Sequence, residues 1–377
     1  MKKERRSMNH QKHKRIIISG GGTGGHVFPA ISVANALRRI DPDIEILFVG
    51  AEGRMEMEKV PAAGYKIVGL PVAGFYRSLT PKNFVVLYKL VTSLFKARRI
   101  ISEFQPDVVV GVGGYASGPI LRQAGKMGIP LLLQEQNSYA GVTNRLLAKK
   151  ASVICVAYEG MEKYFPAKKI IKTGNPVRQS FDNLENLRME ALSFFRLKQE
   201  LPVVLVLGGS LGAGTINRSL SENIGEVAAS GCQWLWQTGK NYYEKMNEAV
   251  AQAAAGNVTL QPFINRMDYA FAAADIIVSR AGAGTISELC LVGKPVILVP
   301  SPNVAEDHQT RNALALTYRN AAIMLKDNEA VKRLVGEAIT LVSNSEEKAS
   351  LSANILKMAD RDADARIANE VIKLAGK

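Results

Sequence analysis

Twice along this chain a short apolar, β-branched run passes through a cluster of glycines into a segment rich in small residues. The first is "RIIISGGGTGGHVFPAISVANAL", beginning at Arg15, and the second is "VVLVLGGSLGAGTINRSL", beginning at Val203. Strand, tight loop and helix in that order form the opening unit of a nucleotide-binding α/β fold. The glycines let the backbone turn and approach a ligand, and the helix start offers unpaired N–H groups and a positive dipole end to an anion. Each opening is followed by further strand-like runs, at 44–49, 107–111, 130–134 and 153–156 after the first (15–19), and at 233–237, 258–261, 276–279, 296–299 and 322–325 after the second. Longer mixed segments separate them. Such alternation predicts a parallel sheet with helices on both faces. At 377 residues the chain is too long for one ordinary core. The turn-rich stretch 173–202 divides the two series, so the expected class is α/β, with two Rossmann-like doubly wound domains facing a cleft. Ligands in such sheets sit outside the carboxyl ends of the strands.

The glycine loops admit more than one reading. Gly20, Gly22 and Gly25 satisfy G-x-G-x-x-G, and Glu52 follows the second strand, as a dinucleotide fold requires. Glycine-rich strings satisfy many patterns, and a dinucleotide loop has no need of His26, one of only four histidines. His26 is either a helix-start residue satisfied by backbone or a chemical group. Ser210, in "GGSLGA", either caps its helix or meets a phosphate. In "ADIIVSRAGAGTISELCLVGKPVILVP" a third small-residue loop follows a buried strand, and Glu288 lies just inside the next helix. It either pairs with the helix dipole or reaches a ribose whose pyrophosphate rests on the same helix start. No metal site presents itself. Asp41 and Asp43 sit in a turn before a strand, and Asp360, Asp362 and Asp364 lie in a charged terminal helix.

The net charge of +14 is lopsided. Up to residue 177 there are 27 Lys and Arg against 12 Asp and Glu, a surplus of +15, and the remainder is close to neutral. The excess points to an anionic partner or to a solvated face with a basic tail. The stretch "GFYRSLTPKNFVVLYKLVTSLFKARRII" (74–101) interleaves Phe75, Tyr76, Phe84, Leu87, Tyr88, Val91, Leu94 and Phe95 with Arg77, Lys82, Lys89, Lys96, Arg98 and Arg99. It reads either as a core helix with a basic outer face or as an interfacial patch seated on anionic lipid. No apolar run approaches the ~18–20 residues of a membrane span. The opening "MKKERRSMNHQKHKR" lacks the apolar stretch of a secretory signal. Cys155, Cys232 and Cys290 read as buried free thiols in a reducing, cytoplasmic setting.

Seven segments in order carry a resemblance: "GGGTGGHVFPA", "PDVVVGVGGYASGP", "QEQNSYAGVTNRLLAK", "TGNPVR", "GGSLGA", "SRAGAGTISE" and "DHQTRNA". With them the chain resembles the MurG family, the UDP-N-acetylglucosamine:undecaprenyl-pyrophosphoryl-MurNAc-pentapeptide N-acetylglucosaminyltransferases, over nearly all of its length from about residue 14. Residues 1–13, before the first motif, read as a basic, disordered extension. The resemblance implies a GT-B fold: an acceptor- and membrane-binding domain over 14–177 and a UDP-GlcNAc-binding domain over 178–358. A terminal helix over 359–377 would pack back on the first domain. It also implies inverting transfer of GlcNAc from UDP-GlcNAc to the 4-hydroxyl of MurNAc in lipid I, giving lipid II for peptidoglycan. No cofactor and no obligatory metal are implied. The expected partners are UDP-GlcNAc, lipid I, an anionic membrane surface at the cytoplasmic face and other cell-wall synthesis proteins, with no nucleic acid.

Carried over by motif, Thr23, Gly24 and Gly25 form the glycine loop beneath sugar and acceptor, Asn137 contacts the donor sugar and Arg178 meets the diphosphate. Ser210 lies in the second loop and Ile264 contacts uracil. Ala283, Gly284, Thr285, Ile286, Ser287 and Glu288 hold diphosphate and ribose, and Gln309 contacts GlcNAc. Leu211 and His308 stand where some relatives have Gln. The reaction needs a group to take the hydroxyl proton. His26 is the expected base, and Tyr115 the expected acceptor-orienting residue and second candidate. The alternative reading is a related GT-B UDP-sugar transferase or epimerase acting on another acceptor.

Overall fold

The computed structural model describes residues 13–72, 82–177, 181, 183–209, 212–304 and 307–376, with no account of the side chains of 82–84. The expectations for residues 1–12, Phe75, Tyr76, Arg77, Arg178, Ser210 and Leu211, and for the side chain of Phe84, lie outside the described residues. The chain divides into two compact units. One comprises Met1–Gln136, Ala140–Pro176 and Asp362–Lys377, and the other Asn137–Tyr139 and Val177–Arg361. The second unit therefore takes a three-residue piece from within the stretch that the sequence reading gives wholly to the first.

The first unit is built on β1 (Arg15–Gly20), β2 (Glu45–Ala51), β3 (Lys66–Leu70), β4 (Val108–Gly113), β5 (Leu131–Glu135), β6 (Val153–Val156) and β7 (Ile170–Lys172). These form one sheet in the order β3-β2-β1-β4-β5-β6-β7, with every pair parallel. Its inner strands are buried on both faces, which is why Ile16–Ile18 and Val108–Val110 read as unbroken apolar runs rather than alternating ones. The two strands that the sequence reading leaves out, β3 and β7, are the edge strands. Each is short and partly exposed, so neither shows that run.

The second unit holds β8 (Val203–Leu207), β9 (Gln233–Gln237), β10 (Val258–Gln261), β11 (Ile276–Ser279), β12 (Val296–Leu298) and β13 (Ile323–Met324). Its sheet runs β10-β9-β8-β11-β12-β13 and is again all parallel. Both sheets are doubly wound, and in each the strand order reverses beside the opening strand, between β1 and β4 and between β8 and β11. A crevice opens at such a point because consecutive connections leave on opposite faces.

Helix Gly24–Ile40 buries Val27, Ala30, Val33, Ala34 and Leu37, a stripe of 3.6-residue period, against the first sheet. The same core receives the terminal helix Ala363–Ala375 through Ile367, Ala368, Val371 and Leu374. Arg39 donates to Asp364 at 2.6 Å across that contact. No described helix is long and apolar enough to cross a membrane. All three cysteines are free and buried.

Candidate active site

In the first unit the loops after β1 and β4 meet at the switch point. Pairing between the two strands slips at Ser19/Gly20, so that Gly20 comes to lie opposite Gly113. The approach is close enough to demand glycine. A Cβ on Gly114 would fall 2.3 Å from the Gly21 carbonyl oxygen, and one on Gly113 would fall 2.7 Å from Cδ2 and 2.8 Å from Nε2 of His26. Both residues also hold positive φ, +102° at Gly113 and +88° at Gly114. The His26 ring is thus seated against the β4 loop.

Thr23 caps helix Gly24–Ile40 with an extended backbone, and its carbonyl accepts the N–H groups of His26 and Val27, each at 3.1 Å. Its hydroxyl lies 3.3 Å from His26 Nδ1. If Nδ1 carries the ring hydrogen and donates it to Thr23, Nε2 is the nitrogen able to take up a proton. Gly24 and Gly25 are the first residues of the helix, where N–H groups have no intrahelical acceptor. Tyr115 stands in the β4 loop with 62% of its surface exposed. Thr23, Gly24, Gly25, His26 and Tyr115 are therefore together on two adjoining loops of one sheet.

A buried polar network lies at the ends of β4, β5 and β7. Glu135 accepts the N–H of Gly141 at 3.0 Å and the amide of Asn144 at 2.9 Å. Gln134 donates to Asn175 Oδ1 at 3.1 Å, Asn175 donates to the Gln136 carbonyl at 3.0 Å, and Gln136 donates to the Val112 carbonyl at 2.6 Å. Glu135 is 2% exposed and engaged by donors, the setting of a residue that holds a loop.

In the second unit the loop after β11 leads into helix Ala283–Val292, whose cap Gly282 is extended and whose first turn contains no acid. Ala283, Gly284 and Thr285 present the helix start, Ile286 is buried, and Ser287 donates back to the Ala283 carbonyl at 3.0 Å. Glu288 is the sixth residue of the helix, too deep for first-turn dipole pairing, and is partly buried. Helical side chains lean towards the N-terminus, which directs its carboxylate back along the helix towards Gly284 and Thr285.

Below this loop Arg280 donates to the carbonyls of Val299 and Pro300 and to Asp327 Oδ1, and Thr215 donates to Asp327 Oδ2 at 2.8 Å. The pair ties the β11 loop to the helix that follows the β8 loop.

Gln309 and Asn137 are gathered to the same place by a residue that the sequence reading did not single out. Asn312, fully buried, accepts from the Ser138 hydroxyl at 3.0 Å and donates to the Ala281 carbonyl at 3.3 Å. It fastens the segment carrying Asn137 beside the β11 loop, and the Arg311 guanidinium lies 4.6 Å from the centre of the Tyr139 ring in the same contact. Gln309 takes the Ser301 N–H on its amide oxygen at 2.9 Å, which leaves its NH₂ as the group to offer a ligand. Ile264 is only 3% exposed and its N–H donates to Gln237 Oε1 at 2.9 Å. The Ile264 side chain is therefore packed in the core and is not a group presented outward. Among the described residues no group of three or more His, Cys, Asp or Glu stands ready to hold a metal ion.

The model of the glycosyltransferase family 28 N-terminal domain matches residues 16–156, and that of the glycosyltransferase family 28 C-terminal domain matches residues 203–367. A protein of Parabacteroides distasonis, named UDP-N-acetylglucosamine--N-acetylmuramyl-(pentapeptide) pyrophosphoryl-undecaprenol N-acetylglucosamine transferase, is 58% identical over 96% of this chain and 99% of its own length. A protein of the same name from Bacteroides fragilis is 57% identical over 100% of this chain and 99% of its own. Among solved structures, MurG of Acinetobacter baumannii is similar with a TM-score of 0.74 and 28% identity, covering 96% of this chain and 99% of that one. A UDP-GlcNAc 2-epimerase from Neisseria meningitidis, at a TM-score of 0.68 and 16% identity over 96% of this chain and 100% of that one, shares the fold alone. With full-length identity of this order to the transferases and only the fold in common with the epimerase, the chain belongs to the UDP-N-acetylglucosamine--N-acetylmuramyl-(pentapeptide) pyrophosphoryl-undecaprenol N-acetylglucosamine transferases of glycosyltransferase family 28.

Proposed function

We propose that the protein transfers GlcNAc from UDP-GlcNAc to the 4-hydroxyl of MurNAc in lipid I with inversion at the anomeric carbon, producing lipid II and UDP. The observation that carries the reading is the 58% identity to a transferase of that name over 99% of the relative's length. In the reaction the acceptor oxygen bonds to the anomeric carbon as the bond from that carbon to the UDP oxygen breaks. The hydroxyl proton passes to His26 Nε2, and the electron pair of the broken bond stays on the diphosphate. Thr23 orients the imidazole through Nδ1, and Tyr115 steers the acceptor.

The departing charge is met by the start of helix Ala283–Val292 and by Arg178, because positive dipole ends and guanidinium groups stabilise a charge that grows in the transition state. Glu288 accepts from the ribose hydroxyls, Asn137 and Gln309 hold the sugar, and the Ile264 backbone and Ser210 complete the nucleotide contacts. The exposed face of helix Lys82–Phe104, with the charge surplus of its domain, seats the enzyme peripherally on the anionic cytoplasmic face of the membrane, where the acceptor lipid lies. Purified protein given UDP-[14C]GlcNAc and a short-chain lipid I analogue should form labelled disaccharide product. Release of UDP with no transfer to this acceptor would overturn the reading in favour of another acceptor.

A further inference from the structure

The geometry points to Glu56 as the positioning residue of the first glycine loop, setting the backbone that carries Thr23, Gly25 and His26. The inference rests on the transferase reading above.

Glu56 opens the short helix Glu56–Ala62 that follows β2, and it is fully buried at 0% exposure. Burying a carboxylate is costly unless its oxygens find donors. Here the donors are backbone. The Ala51 N–H reaches Oε1 at 2.9 Å, and the Gly22 N–H is shared between Oε1 at 3.1 Å and Oε2 at 3.0 Å.

The slot that admits the carboxylate exists because two residues lack a side chain. A Cβ on Gly21 would fall 2.0 Å from Oε1, and one on Gly50, in β2, would fall 2.6 Å from Cγ. The carboxylate therefore lies directly against the loop and is anchored to the end of the neighbouring strand, 34 residues away in sequence from Gly22.

Two consequences follow. The Gly22 N–H is turned towards Glu56, so the ligand-facing donors of the loop are those of the helix start at Gly24 and Gly25. A negative charge beneath the loop also opposes anion binding there, so Glu56 serves the placement of His26 and Thr23 rather than affinity for a phosphate. Loss of the brace should then appear in turnover more than in binding.

The test uses the full-length protein with two variants. Glu56→Gln preserves volume and can still accept from Ala51, but it sets an NH₂ against the Gly22 N–H. Gly21→Ala leaves Glu56 intact and closes its slot. Each should lower kcat at least tenfold with donor KM and melting temperature held close to wild type. Amide exchange in peptides spanning 20–27 should quicken tenfold or more, while peptides of β1 and β2 stay protected. Turnover within twofold of wild type despite lost protection at 20–27 would overturn the proposal. So would a donor KM that rises and a melting temperature that falls along with the loss of kcat, which would mark Glu56 as a general structural residue. Failure of the wild type to transfer GlcNAc would defeat the transferase reading alone, since the exchange experiment reads the brace without substrate.

Discussion

At the residue scale the two switch points separate the chemistry into parts that substitution can distinguish. His26 sits between a hydroxyl 3.3 Å from Nδ1 and a glycine that its Nε2 edge abuts, so removing the ring takes away the proposed base without emptying a core. His26→Ala should lower kcat by about 10²-fold or more, the scale of general-base catalysis, with little change in donor KM. The acidic limb of the pH–rate profile should vanish as well. An unchanged profile would send the search for the base to Tyr115. Glu288→Ala should instead raise donor KM, because a ribose contact is made in the ground and transition states alike. Losing one hydrogen bond to a charged group costs about 1.5–3 kcal/mol, a rise of roughly 10- to 150-fold, and an unaltered donor KM would discard the role. His26 and Glu288 are candidates that the sequence alone puts forward, because each is local to its glycine loop. Glu56 and Asn312 are not. Their partners lie 34 and 174 residues away, and nothing in the nearby sequence marks a Glu or an Asn as the holder of a distant backbone.

At the element scale, the apolar residues of helix Lys82–Phe104 do not all serve one core. Val86, Ala97, Ile100 and Ile101 are buried, while Val85, Leu87, Tyr88, Val91 and Phe95 are exposed, Phe95 at 73%. Apolar residues in the stretch thus divide between a core face and an outward face that also bears Lys89, Lys96, Arg98 and Arg99. Hydropathy could not separate them, because both faces are apolar. Tyr88→Glu with Phe95→Glu should reduce co-sedimentation with anionic vesicles severalfold, since it sets two charges into the face proposed to meet the lipid, while turnover on a short-chain acceptor persists. Loss of soluble activity in parallel would mean the outward face is needed by the fold. The edge strands β3 and β7 escaped the sequence reading for the converse reason: half-exposed and short, they lack the apolar run that makes inner strands legible.

At the scale of the whole molecule, two units with separate cores need not open together, and the chain carries a native reporter in each. Cys155 lies in the first core and Cys290 in the second. Burial pushes both thiols up to about 12, with Glu370 adding to the rise at Cys155 and Asp360 at Cys290. A thiol with a raised pKa is protonated at neutral pH, and the protonated form is not the nucleophile. Each should therefore resist alkylation until its own unit opens, when its pKa returns to about 8.5 and a reactive fraction forms. On the proposed function the donor is held by Glu288 and the start of helix Ala283–Val292, and so it binds only the folded form of the second unit. At a hundred times its Kd it should stabilise that unit by about 2.7 kcal/mol. The expected outcome is that UDP-GlcNAc slows iodoacetamide labelling of Cys290 by about 100-fold and leaves Cys155 unchanged, as followed by mass spectrometry of the peptides. Equal protection of both would show that the units open as one, and protection of Cys155 alone would place the donor on the wrong sheet.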